Sequence, residues 1–342
     1  MAQITSRLLI RFSILTAALC LLPKFVMAAP ALDKIGGPAS CAECHLQEIE
    51  AWKLTVHFKT LNTMNRRPEA AAITTKLGLK GMKSEGRCVA CHYTSELIDG
   101  QGQVTTGISC ESCHGAGADW VNVHGNYGKG VTKATESAEH RTTRRTTAVA
   151  NGMLNPDNLY VVGANCYSCH LLDDEKLVNV GGHSLGSPGF DLLTWSQGEV
   201  RHTILSHDNK ANPAATPARR RELYVVGCIL ETEFTFRVLA RATEKATFGL
   251  NSARRADAAR KQLEKIQSLA PTPELIPIIA IAQAAGLRLK NAAALTAAAD
   301  QISTLGHEFA ARVTGDRLAG IDILLPDQSH DKGTPYQVIT KP

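Results

Sequence analysis

From residue 218 onward the apolar positions recur every three or four residues along alanine-rich runs, the pattern of amphipathic helices. One such run covers residues 219–245, and a second covers 252–269, with Ala256, Ala259, Leu263 and Ile266 on one face. Thr272, Pro273 and Glu274 mark a third start, which Gly286 ends. Asn291 caps a fourth run that continues to Val313 and stops at Gly315. Four helices joined by short turns predict a bundle or a pair of helical hairpins.

The preceding stretch has another texture. Residues 30–209 are Gly-rich and short of long apolar periodicity. Short helices are expected over residues 41–59, where Ile49, Trp52, Val56 and Leu61 recur at helical spacing, and over 69–77. Residues 132–150, rich in Thr and Arg, read as an exposed connection, and the Pro- and Ala-containing residues 210–217 read as a linker. The expected fold is mainly α: a domain of little regular structure over residues 29–209, a helical bundle over 218–320, and a C-terminal tail over 321–342.

The first residues carry a targeting pattern. Arg7 and Arg11 precede an apolar run over residues 14–22, and Val26, Met27, Ala28 and Ala29 form a small-residue site. This predicts a secretory signal peptide over residues 1–28 and a periplasmic product. The later apolar run over 275–287 is too short to cross a bilayer, so no transmembrane segment is expected. Residues 29–209 hold 16 Lys and Arg against 19 Asp and Glu, and residues 210–342 hold 18 against 13. The basic residues are scattered and interleaved with acids, which excludes a nucleic-acid footprint.

Cysteine usage supplies the chemistry. The pentapeptide C-x-x-C-H occurs four times, at Cys41, Cys44 and His45, at Cys88, Cys91 and His92, at Cys110, Cys113 and His114, and at Cys166, Cys169 and His170. This is the attachment signature of haem c, two thioethers followed by a proximal imidazole. Zinc would use the C-x-x-C units in pairs and leave the histidines idle. Four covalently bound haem c groups are the expected cofactors, with the porphyrins supplying apolar mass to a segment poor in core. Cys228 remains, in an apolar setting, as a buried inert thiol.

Eight further histidines are available for the opposite iron faces. His57, His124, His183 and His202 follow haem motifs at short range and are the distal candidates, whereas His140, His207, His307 and His330 lie among charges and read as solvated. Met64, Met82 and Met153 are too few to be the general sixth ligand. Mostly bis-histidine, low-potential haems follow.

The order of the first motif, Trp52, His57, a closely spaced motif pair ending Gly107-Ile-Ser-Cys-Glu-Ser-Cys-His-Gly115, His124 and then Cys166-Tyr-Ser-Cys-His170 resembles the tetrahaem cytochrome c-554 family over residues 38–207. The resemblance does not reach the helical tail. It implies closely stacked and perpendicular haem pairs, with His124 serving the first haem opposite His45. It also implies that His57 serves the third opposite His114, that His202 serves the fourth opposite His170, and that the second haem, on His92, has no distal ligand. His183 departs from that pattern: if it reaches the second haem, no open iron remains.

The expected function is periplasmic electron transfer between redox partner proteins, donor and acceptor unspecified, with the C-terminal helices available for homo-oligomer contacts. The alternative is an enzyme reducing a small nitrogen oxide or similar molecule at a five-coordinate second haem. A chain ending near Asn212 is expected to retain haem incorporation.

Overall fold

The computed structural model describes residues 32–339; the expected signal peptide lies outside them. The fold is mainly α. Short helices Leu46–Leu54, Val56–Thr63 and Pro68–Leu77 occupy the stretches where helical spacing is visible, and Gly78, at φ 67°, closes the last of them. Helices Pro217–Ala240, Thr247–Leu269, Leu275–Ala284 and Ala292–Arg312 form the C-terminal set. Pro217 starts the first of these where a missing N–H costs nothing, and the Thr216 hydroxyl accepts from the Arg219 N–H as its cap.

Two expectations of irregular chain are corrected. Strands Thr94–Ile98 and Gln101–Thr106 pair antiparallel, with Ile98 opposite Gln101. Asp99 and Gly100 between them both take positive φ, 50° and 74°, as a tight hairpin turn demands. The second correction falls on residues 132–150, where Ala138–Ala150 is a helix. It buries only Ala148, so it shows little apolar stripe. Its start is fixed instead by the Ser137 hydroxyl, which accepts from the His140 N–H, and by the buried carboxylate of Glu136, which accepts from Arg144 Nε at 2.7 Å and from Nη2 at 2.7 Å.

The main apolar core runs from Leu159 to Ile321 without a break at the linker. Tyr160, Tyr167, Leu192 and Leu193 share it with Leu223, Val226, Ile229, Leu230, Phe236, Leu263, Leu295 and Phe309. Close approach depends on small residues: a Cβ on Gly163 would come within 2.5 Å of Leu230 Cδ1 and 3.0 Å of Leu192 Cδ2. Tyr167 Oη donates to the Gly227 carbonyl at 3.0 Å, and Tyr160 Oη donates to Glu233 Oε2 at 2.6 Å. Helix Leu159–His170, which carries the fourth C-x-x-C-H, therefore presents its other face to the C-terminal helices.

The tail over residues 331–339 returns to the N-terminal part. Tyr336 packs against Ala51 and Ile204, its Oη lies 3.1 Å from Gln47 Oε1, and its carbonyl accepts from Asn212 Nδ2 at 3.1 Å. Lys332 is held on both sides, its N–H donating to the Thr194 carbonyl and its carbonyl accepting from the Glu199 N–H.

Candidate functional site

Local structure explains how a C-x-x-C-H pentapeptide presents its groups. Residues three apart lie on one face of a helix, so both thiols of a motif point the same way, and the histidine closes the turn. Helices Gly86–His92, Cys110–His114 and Leu159–His170 each end on the motif histidine, while His45 sits at the start of Leu46–Leu54. In the third motif the Glu111 carboxylate, buried, accepts from the backbone N–H groups of Gly36 at 3.0 Å, Gly37 at 2.8 Å and Gly117 at 2.7 Å. This residue fastens the N-terminal segment beside the motif, a role that the sequence pattern does not advertise.

Each motif histidine faces another histidine at nearly the same separation. Ring centroids lie 6.1 Å apart for His45 and His124, 6.2 Å for His92 and His183, 6.1 Å for His114 and His202, and 6.1 Å for His57 and His170. Direct ring stacking brings centroids closer than this, as His170 and Phe190 show at 4.3 Å. A metal–imidazole bond is about 2 Å long, so one metal ion between two coaxial imidazoles sets their centroids roughly 6 Å apart. The four separations match an iron sandwiched between axial ligands.

The outward nitrogens are also fixed. Nδ1 of His124 contacts the Val121 carbonyl at 2.7 Å, that of His183 the Ser184 carbonyl at 2.7 Å, and that of His202 the Val200 carbonyl at 2.6 Å. The Nδ1 of His170 contacts Ser187 Oγ at 2.7 Å. An acceptor on Nδ1 selects the tautomer that leaves Nε2 free to ligate, the arrangement seen around metal-bound histidines. Burial lowers His92, His114 and His170 to about 4 and also lowers His45 and His57, which keeps the imidazoles in the neutral form a metal requires.

The pairing differs from the one implied by the family resemblance. His57 faces His170 rather than His114, and His202 faces His114 rather than His170; only His124 opposite His45 coincides. His183 stands opposite His92, where the resemblance implies no ligand. Of the remaining histidines, His140 contacts Glu136 Oε1 through Nδ1 at 2.8 Å and His207 contacts the Thr203 carbonyl at 2.7 Å. His307 is not simply solvated, because its ring packs on Tyr160 at 4.5 Å. His330 is exposed.

The motifs adjoin one another in sequence-distant pairs. Glu111 of the third motif, through the Gly36 and Gly37 N–H groups, holds the segment leading into the first, and Cys169 Sγ of the fourth lies 3.9 Å from the Ala90 carbonyl inside the second. Asn165 Nδ2 donates to the Ser112 carbonyl at 2.8 Å, which joins the third motif to the fourth. Thr60 Oγ1 donates to the carbonyls of both His57 and His92, at 2.8 and 2.7 Å. The four sites thus form a connected series, first to third, third to fourth, and fourth to second. Cys228 lies outside them, partly buried against the main core, and burial pushes its thiol up.

Among the described residues, four buried polar atoms lack a partner: Glu48 Oε2, Tyr93 Oη, Trp120 Nε1 and Arg201 Nε. All belong to residues within four positions of a paired histidine: His45, His92, His124 and His202 respectively. Three are donors of the kind that bind a carboxylate. Haem brings two propionates to each site, so the residues present fit the group their motifs imply.

Comparison with known proteins agrees with that reading. The family of cytochrome c554 and c-prime matches residues 40–115. A curated relative, cytochrome c-554 of Nitrosomonas europaea, is 28% identical over 148 residues, which is 40% of this chain and 57% of the relative. No solved structure matches the chain. The resemblance seen in the motif order is therefore upheld, over the part of the chain that holds the first three motifs and their surroundings. Among the described residues, no helix is long and apolar enough to cross a membrane.

Proposed function

With residues 40–115 carrying the cytochrome c554 signature, we propose that this protein is an exported tetrahaem c-type cytochrome. In this reading it transfers electrons between redox partners through four bis-histidine haems. The observation that carries the reading is the set of four imidazole pairs at 6.1–6.2 Å, each containing one C-x-x-C-H histidine. Cys41 and Cys44, Cys88 and Cys91, Cys110 and Cys113, and Cys166 and Cys169 hold the porphyrins. His45 with His124, His92 with His183, His114 with His202, and His170 with His57 hold the irons.

The protein's part is to position and tune. Haem supplies the one-electron couple, and the chain keeps the sites adjacent, excludes water with the surrounding aromatic and aliphatic residues, and sets each potential through ligand, charge and burial. Contacts from first to third to fourth to second site support a through-going path. The N-terminal basic, apolar and small-residue pattern supports export to the periplasm, the compartment that suits covalent haem.

Small-molecule reduction at the second haem needs an open face opposite His92, and His183 stands at that face. Electron carriage is accordingly the reading favoured. Mass spectrometry of the exported protein is expected to give four haem adducts. The oxidised spectrum is expected to be wholly low-spin, and the reduced protein is expected to ignore carbon monoxide. Fewer adducts, or a carbon monoxide complex in the wild-type protein, would overturn the proposal.

A further inference from the structure

The eight paired imidazoles are not held alike. The Nδ1 atoms of His124, His183 and His202 meet uncharged carbonyls, and that of His170 meets a hydroxyl. Among the described residues, His45 is the only paired histidine with a carboxylate oxygen within 4.0 Å of a ring nitrogen: Glu48 Oε2 lies 3.8 Å from its Nδ1. That oxygen is buried and has no hydrogen-bond partner of its own, although the other oxygen is fully engaged, accepting from the Leu205 N–H at 2.6 Å. Leu205 follows His202 by three residues, so one side chain spans from the first site to the segment that supplies the distal imidazole of the third.

We propose that Glu48 is the residue that sets the potential of the haem attached at Cys41 and Cys44, making it more reducing than its surroundings would otherwise leave it. The inference rests on the axial ligation proposed above. A carboxylate 3.8 Å from Nδ1 puts a negative charge beside the proximal imidazole and the iron it would hold, which favours the ferric state. The location multiplies the effect, because the Glu48 side chain is only 12% exposed and solvent screens it little. Its hold on the Leu205 N–H keeps the charge in place, and makes Glu48 a positioning residue between two sites.

The test is a potentiometric titration of the intact tetrahaem protein and its Glu48→Gln variant, followed by optical and electron paramagnetic resonance spectra. Glutamine keeps an oxygen for the Leu205 N–H while removing the charge, so the fold is spared. His124→Met marks the first haem by displacing one midpoint upward. The expected result is that Glu48→Gln raises that same midpoint and leaves the other three in place, while Glu48→Asp restores the low value in large part. If His124→Met displaces no midpoint, the ligand assignment fails. If it does and Glu48→Gln moves none, or moves all four together, the assignment stands and the role given to Glu48 is wrong.

Discussion

His183 faces His92 across 6.2 Å, ring centroid to ring centroid, with its Nδ1 anchored 2.7 Å from the Ser184 carbonyl. The pair has the same separation as the other three, so the second iron is expected to be as closed as the rest. His183→Ala should open it. One high-spin ferric haem should appear, and the reduced variant should bind carbon monoxide at one equivalent per chain. A variant that stays wholly low-spin would show that His183 is not the ligand.

The ring planes within the pairs are not oriented alike. His45 and His124 are within 12° of parallel, whereas His114 and His202 cross at 88°. Parallel imidazoles split the iron d orbitals strongly, and crossed ones leave them nearly degenerate. Electron paramagnetic resonance of the ferric protein should therefore contain both a rhombic low-spin signal and a strongly anisotropic one. A single rhombic envelope accounting for all four haems would contradict these orientations.

Tyr160 donates its hydroxyl proton to Glu233 Oε2 at 2.6 Å inside the core, and Glu233 also holds Arg237 Nε at 2.9 Å. Removing the hydroxyl leaves a buried carboxylate oxygen short of a donor. Tyr160→Phe is expected to cost about 1–3 kcal/mol. It should lower the urea midpoint while leaving the haem spectra unchanged.

Glu136 links pH to the first site. Hydrogen bonds from the Arg144 guanidinium depress its carboxyl from the ordinary 4.5 to about 2, and Arg144 also donates to the His124 carbonyl. A carboxylate with a lowered folded-state pKa contributes stability that is full above about 4.5 and fades as pH falls toward 2. The wild-type protein should lose stability over that interval. Glu136→Gln should be less stable at neutral pH and flatter in acid, as followed by thermal melts between pH 2 and 7.

A chain ending near Asn212 is expected, from sequence alone, to keep its haems. The continuous core argues the reverse, because Leu159, Tyr160, Leu192 and Leu193 lose the helices that cover them. Exposing each such side chain costs about 1.5–3 kcal/mol. The truncated protein is expected to aggregate or to be exported without its full haem complement, which expression and haem-stained gels would read. A soluble tetrahaem product would restore the two-unit view.

The haem motifs and the four C-terminal helices are legible in the sequence because both are local: a five-residue spacing and a 3.6-residue period. The distal partners are only half legible. His57, His124, His183 and His202 stand out by their places after motifs, but which iron each reaches is decided by how the chain closes between residues tens of positions apart. His57 and His170 meet because Thr60 ties helix Val56–Thr63 to the second motif, and Cys169 Sγ of the fourth motif lies against the Ala90 carbonyl of that same motif. Helix Ala138–Ala150 escapes an apolar reading since Glu136, Arg144 and Ser137 fix it by polar contacts. The sequence signal for the hairpin is Asp99-Gly100, a pair suited to the two positive-φ positions of a two-residue turn.

Helix Leu159–His170 carries Cys166 and Cys169 while Tyr160, Gly163 and Tyr167 on the same helix are wedged under the C-terminal helices, with Cys166 itself pressed against that core. If the fourth motif carries haem as proposed, its porphyrin is expected to be attached before those helices seat. The first three motifs lie upstream of residue 159, outside the helix that those C-terminal helices cover. In the tetrahaem reading, biogenesis at the fourth motif is then expected to be a race between thioether formation and collapse of the second half of the polypeptide, and slowing that collapse should raise the yield of fully loaded protein.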